Sequence, residues 1–294
     1  MQMLYCTQIS NFNYHNGLSF QTLKKNTCCE PDITKKTTEV KTFIPSFYGK
    51  DLVETEKQKR IKDIKESFPE GIEKATTKEI FKAIGIDCKE DKDGLLIISH
   101  YCAPDKDISY NDIGVKENDL FRDIKEIKED ADFKNSEVTN LGELRRIGGD
   151  ANFNYSKIKT LGKIETIGRD AIFTNSQVED LGELQSIGRD AFFSHFKIGS
   201  LGKVQKIGRD AFFNHSQIDD LGELQSVGRD AFLHNSQITS LCKLQSIGRN
   251  AYLHCTVITN LGKLQSIGRN VNIIRSLLKP SDFDNINIGG ELVA

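Results

Sequence analysis

Residues 181–200 read LGELQSIGRDAFFSHFKIGS, and residues 201–220 read LGKVQKIGRDAFFNHSQIDD. Self-similarity at a fixed period is the mark of a stacked-repeat architecture. The period of twenty begins at Phe121 and returns in units starting at 141, 161, 181, 201, 221, 241 and 261, followed by a shortened ninth unit with Phe283, Ile286 and IGGELVA. Positions 1, 4, 7, 11, 13 and 18 of each unit are apolar in nearly every copy. One such unit cannot enclose its own apolar face, so neighbouring units must stack into a continuous core.

Within a unit the spacing divides in two. Apolar residues at positions 1, 4 and 7 recur every third residue and predict a tight helical turn. Positions 11 and 13 alternate and predict a short strand. The residues preceding the turn, Asn140, Thr160, Asp180, Ser200, Asp220, Ser240 and Asn260, are all good N-caps. Glycine at position 8 then fits a positive φ closing the turn. No proline lies between Asp105 and Lys279 to interrupt a ladder. Nine coils at a spacing of about 4.8 Å would make a rod about 40 Å long.

The recurrent LxxLxxIG followed by AxFxxSxI resembles a short leucine-rich repeat over residues 121–280, with Ser where that family has Asn. In GRDAFFNHSQI (208–218), Ala211, Phe213, Ser216 and Ile218 match the family's inward positions, while Gly208 stands where Leu is usual. The resemblance implies an α/β repeat solenoid of right-handed coils, each with one parallel strand and a helical or 3-10 turn. The Gly208 departure and the short period argue against a strongly curved horseshoe and for a weakly curved rod, closer to a β-helix or to the receptor L domains. It also implies a non-enzymatic module that binds a protein or peptide through its strand face.

Position 12 reads Asp132, Asn152, Ile172, Phe192, Phe212, Phe232, Tyr252, Asn272. Position 13 stays apolar throughout, so by strand alternation position 12 points outward. Five central coils therefore carry an outward apolar column, Ile172, Phe192, Phe212, Phe232 and Tyr252, with His234 and His254 beside it. A column of this size falls short of the ~800 Å² per partner of a standard interface, so flanking positions must contribute. The alternative is a structural solenoid that self-associates through this face or through its last coil, or packing of the column within its own chain. A translocated bacterial effector-like protein using the repeats for target recognition is a third reading.

Other constellations point to structure. Glu143, Lys163, Glu183, Lys203, Glu223 and Lys243 alternate in sign at position 3, a register device of about 0–1 kcal/mol per exposed pair. The serine column at position 16, broken by Phe196, offers hydroxyls to adjacent coils. The arginine file at position 9 is followed by Asp or Asn at position 10, which favours an Arg–Asp lattice over phosphate binding. His195 with His215, and His234 with His254, lack the further ligands a metal needs. No GxSxG, GxxxxGK[ST], HExxH or dinucleotide fingerprint occurs, so no catalytic, metal or cofactor residue is assigned.

A net charge of −2 argues against a nucleic-acid partner, and no apolar run approaches the ~18 residues of a spanning helix. Seven cysteines without CxxC spacing and no cleaved signal suit a cytoplasmic protein, with export by another route left open. Residues 1–50 read as a flexible segment. Residues 51–118 read as a small mixed cap: Ile61, Ile64 and Phe68 share a helix face, Thr76 to Glu79 is a capping box, and GLLIISHY (94–101) is a buried strand. The solenoid occupies 119–294.

Overall fold

A computed structural model describes residues 54–103 and 108–294. The segment 1–50, expected to be flexible, lies outside the described residues. Each coil contributes two strands, at positions 6–7 (Ser186–Ile187) and 11–12 (Ala191–Phe192). Each strand pairs in parallel with the same positions of the coils on either side: Ala191 faces Ala171 and Ala211, and Ile207 faces Ile187 and Val227. The result is a parallel β-solenoid with one eleven-stranded and one nine-stranded sheet.

The second strand replaces the expected helical turn. Leu184 N–H donates to the Leu181 carbonyl at 3.1 Å, which closes a four-residue β-turn with Gly182 at φ 57°. The three-residue spacing arises because a turn runs straight into a strand: positions 1 and 4 flank the reversal, and position 7 is an inward strand residue. The residues expected to cap a helix cap this turn instead. Asp180 Oδ1 accepts from Gly182 N–H at 2.9 Å, and Ser200 Oγ from Gly202 N–H at 3.1 Å, the local side-chain turn that Asp and Ser favour.

Two glycine columns therefore have different duties from those expected. The positive φ belongs to position 2, not position 8. At position 8 a Cβ on Gly208 would overlap the Gly188 carbonyl oxygen, and the same holds up and down the column. Glycine is required there because successive backbones touch at the corner between the two sheets.

Positions 1, 4, 7, 11, 13 and 18 form the interior, and one core cluster runs from Ile61 of the cap to Phe283. Its spine is a stack of rings, Phe133, Phe153, Phe173, Phe193 and Phe213, with centroids 5.1–5.3 Å apart. The serine column lies beside it but does not bridge coils as expected: the Oγ atoms of Ser156, Ser176, Ser216 and Ser236 are buried without a hydrogen bond. A small side chain leaves the spine its room. Phe196 uses that room by turning inward, 5.3 Å from the Phe173 ring and 5.9 Å from Phe193, and is 1% exposed.

The cap continues the solenoid. Helix α1 (Glu54–Glu66) buries Ile61 and Ile64, and α2 (Thr77–Ala83) starts with the Thr76–Glu79 capping box. Strands β1 (Cys88–Glu90) and β2 (Leu96–Ile98) form an antiparallel pair, and β2 joins β3 (Ile124–Ile127) in parallel. Tyr101 then bridges Ala131 of the second sheet and sets its ring 4.9 Å from Phe133. The stretch expected to be one strand thus serves both sheets, as a preceding coil would. Helix α3 (Glu117–Leu120) supplies the remaining acceptors: Asn118 Oδ1 receives Thr139 N–H at 2.8 Å, and Glu117 Oε2 receives Glu137 N–H at 3.1 Å.

Candidate recognition face

The nine-stranded sheet carries position 12 in strict register, Ile172 beside Phe192, Phe192 beside Phe212, Phe212 beside Phe232, and Phe232 beside Tyr252. Strand alternation turns these side chains away from the interior, and none of them belongs to the main core cluster. The rings stack nearly parallel, with centroids 4.8, 4.7 and 4.6 Å apart from Phe192 to Tyr252. Stacking hides the ring faces and presents the edges. Phe212, held between two rings, is 5% exposed, whereas Ile172, Phe192, Phe232 and Tyr252 are half-buried. The face is therefore a stripe of ring edges, narrower than fully outward aromatics would make it.

At both ends of the stripe the polar members of position 12 serve their own turns. Asp132, Asn152 and Asn272 accept from Lys134, Asn154 and Ile274 N–H at 3.0, 3.1 and 3.0 Å and are buried. The five central coils give up this local bond for apolar side chains. The stripe spans about 19 Å, four coil spacings of about 4.8 Å.

One border of the stripe is a carboxylate ladder that the spacing alone did not reveal. Asp150 Oδ1 accepts Asp170 N–H at 2.8 Å, Asp170 accepts Asp190 at 3.0 Å, Asp190 accepts Asp210 at 2.9 Å, and Asn250 and Asn270 extend the file. Arg169, Arg189, Arg209 and Arg249 each reach back to the acid of the preceding coil at 3.5–3.9 Å. The expected Arg–Asp lattice is present. Burial, aided by the neighbouring acids, pushes the carboxyls of Asp150 and Asp190 up.

The other border is imidazole. His195 stacks on His215 at 5.5 Å, His215 meets His234 edge-on at 6.2 Å, and His234 stacks on His254 at 4.7 Å. The two histidine pairs visible in the sequence are thus one run across four coils. His234 also stands edge-on to Phe232 at 6.5 Å. The Nδ1 atoms of His234 and His254 are buried and make no hydrogen bond. Burial first, then His254 and His215, lowers His234 to about 4. No group of three His, Cys, Asp or Glu suited to a metal occurs among the described residues.

The alternation of sign at position 3 appears as ion pairs between coils, and a matching alternation at position 20 accompanies it. Lys163, Lys203 and Lys243 pair with Glu143, Glu183 and Glu223 at 2.5–2.6 Å. Isolated bridges join Thr160 to Asp180, Ser200 to Asp220 and Ser240 to Asn260, while Glu183, Glu223 and Lys263 N–H donate to the Gly162, Gly202 and Cys242 carbonyls, so the bonding at this corner alternates from one interface to the next. A Cβ on Gly182 or Gly222 would strike the preceding coil, but one on Gly162 or Gly202 meets open space. Cys242 replaces glycine in the roomy kind of coil, at φ 49°.

Near the cap two hollows flank Asn118, one lined by Arg122, Thr139 and Glu143, the other by Asn111, Lys116 and Glu137. Among the described residues, Cys88, Cys242 and Cys255 are free thiols. No helix of the described residues is long and apolar enough to cross a membrane. No family model, curated protein or solved structure matches the chain.

Proposed function

We propose that the chain is a non-enzymatic recognition module, akin in its repeat signature to leucine-rich repeats, that binds a protein or peptide along the stripe from Ile172 to Tyr252. The observation that carries this is the replacement of a self-capping Asp or Asn by apolar side chains in five consecutive coils, outside the main core. His234 and His254 on one side and the Arg–Asp lattice on the other supply polar contacts around an apolar centre, the usual anatomy of an interface. The coil itself departs from the one-strand leucine-rich repeat, because its second strand builds a second sheet. A cytoplasmic setting is consistent with the free thiols.

The test uses a photoreactive side chain at position 192 or 252 to trap a partner, and at Ser226, on the other sheet, as the control. The purified partner is then titrated against the intact chain, Phe192→Asp and Tyr252→Asp. The proposal expects trapping from the stripe only and a loss of affinity of tenfold or more in both variants with unchanged circular dichroism. Unchanged affinity rejects it. Phe212→Asp is a poor probe, since it would bury a charge between two rings.

A further inference from the structure

The imidazole run is not needed to build the coil, since position 14 accommodates Thr174, Ser194 and Asn214 elsewhere and position 15 accommodates Asn175 and Asn235. Four histidines nevertheless occupy adjoining sites along one border of the aromatic stripe, and the innermost touches both His254 and Phe232. The titratable groups acting on His234 are His215 from the coil before and His254 from the coil after. His195 acts on His215. Cys255 follows His254 in the chain, and the charged groups Asp230, Asp210 and Arg249 act on the Tyr252 hydroxyl. No carboxylate stands among the groups acting on His215, His234 or His254.

We propose that this run is a proton-operated latch on the stripe: neutral imidazoles stack and hold Phe232 in line, and protonation of His234 and His254 separates them and exposes that part of the face. The physical basis is geometric. Two parallel rings 4.7 Å apart tolerate each other when neutral and repel when both are charged. Their buried Nδ1 atoms, which have no acceptor in the fold, must reach water once protonated. Leaving the stack removes the ring that abuts Phe232. The depressed titration of His234, to about 4, and of His254 agrees with rings that the fold keeps neutral. As a control of recognition the latch rests on the stripe being the binding face; as a structural transition it stands without a partner.

The experiment follows the full chain from pH 7.5 to 4 at constant ionic strength, with NMR of labelled imidazoles, circular dichroism and binding of the apolar dye anilinonaphthalene sulfonate. The latch predicts that dye fluorescence rises at least threefold along with the His234 and His254 titrations, while the strand signal is retained. His234→Phe/His254→Phe, which keeps two stackable rings without a proton, should fold at pH 7.5 and lose that rise. An equal rise in the double variant overturns the proposal, as does a rise that tracks loss of the strand signal or titration without any rise. Should the double variant fail to fold, His234→Asn, which removes one ring, must show high dye binding already at pH 7.5; low binding overturns the latch. Because no partner enters these measurements, their failure leaves the recognition proposal standing, and retained partner affinity in Phe192→Asp removes that proposal without touching the latch.

Discussion

Phe192 and Phe193 are adjacent in the chain and belong to two stacks of opposite character. The inner stack, Phe133 to Phe213, has no side open to water, and in later coils Leu233 and Leu253 stand in it without a break. The outer stack, Phe192 to Tyr252, is packed more closely, at 4.6–4.8 Å against 5.1–5.3 Å, yet touches solvent at its edges. Both inherit their period from the backbone ladder, and only the inner one closes the core. Ring stacking at a regular spacing is thus no sign of a structural role; what lies on the far side of the ring decides it.

The largest effect should come from breaking the spacing that both stacks share. Gly208→Ala drives a Cβ into the Gly188 carbonyl, and pushing the coils apart should cost roughly 4 kcal/mol or more in urea unfolding. Phe193→Ala, which removes an inner ring, should cost about 3–5 kcal/mol by the same measurement. Acid should act on the outer border. Because His234 titrates near 4 in the fold and near 6.5 when unfolded, the unfolded chain binds more protons between these values. Stability present above pH 6.5 is therefore lost as pH falls toward 4, by about 2 kcal/mol after discounting for partial exposure. Asp150 and Asp190 have the opposite sign: their raised carboxyls hold protons better when folded, so acidification just above pH 3.8 favours the fold. A urea midpoint that did not fall from pH 7 to 5 would contradict the histidine assignment.

Smaller changes sharpen the contrast. Phe192→Asn, which installs the residue found at 152 and 272, should cost only about 1–2 kcal/mol, since a half-buried ring is exchanged for a local turn bond. Cys242→Gly should raise stability by about 0.5 kcal/mol by relieving a positive φ in a coil whose siblings carry glycine.

The core columns and the outward sense of position 12 were legible because burial repeats with the coil: Ala191, Phe193 and Ile198 have counterparts every twenty residues. The second strand was not, because a turn of four residues followed by a two-residue strand also puts apolar residues at every third position. Gly208 was read for conformational freedom, whereas its reason is a neighbour twenty residues away, a contact invisible to local pattern. That stacked rings partly shield one another follows from the twenty-residue period, but the extent of it at Phe212, 5% exposed, does not. Phe196 broke a serine column for which hydrogen bonding had been expected, and its place against Phe173 shows that the column is about size.

The central claim, that adjacent phenylalanines divide between fold and face, is tested most directly by unfolding Phe192→Asn and Phe193→Asn side by side in urea at pH 7.5. The account predicts a loss of about 1–2 kcal/mol for the first and more than about 4 kcal/mol for the second, where a cavity and an unpaired amide are left in the core. Equal losses would contradict it.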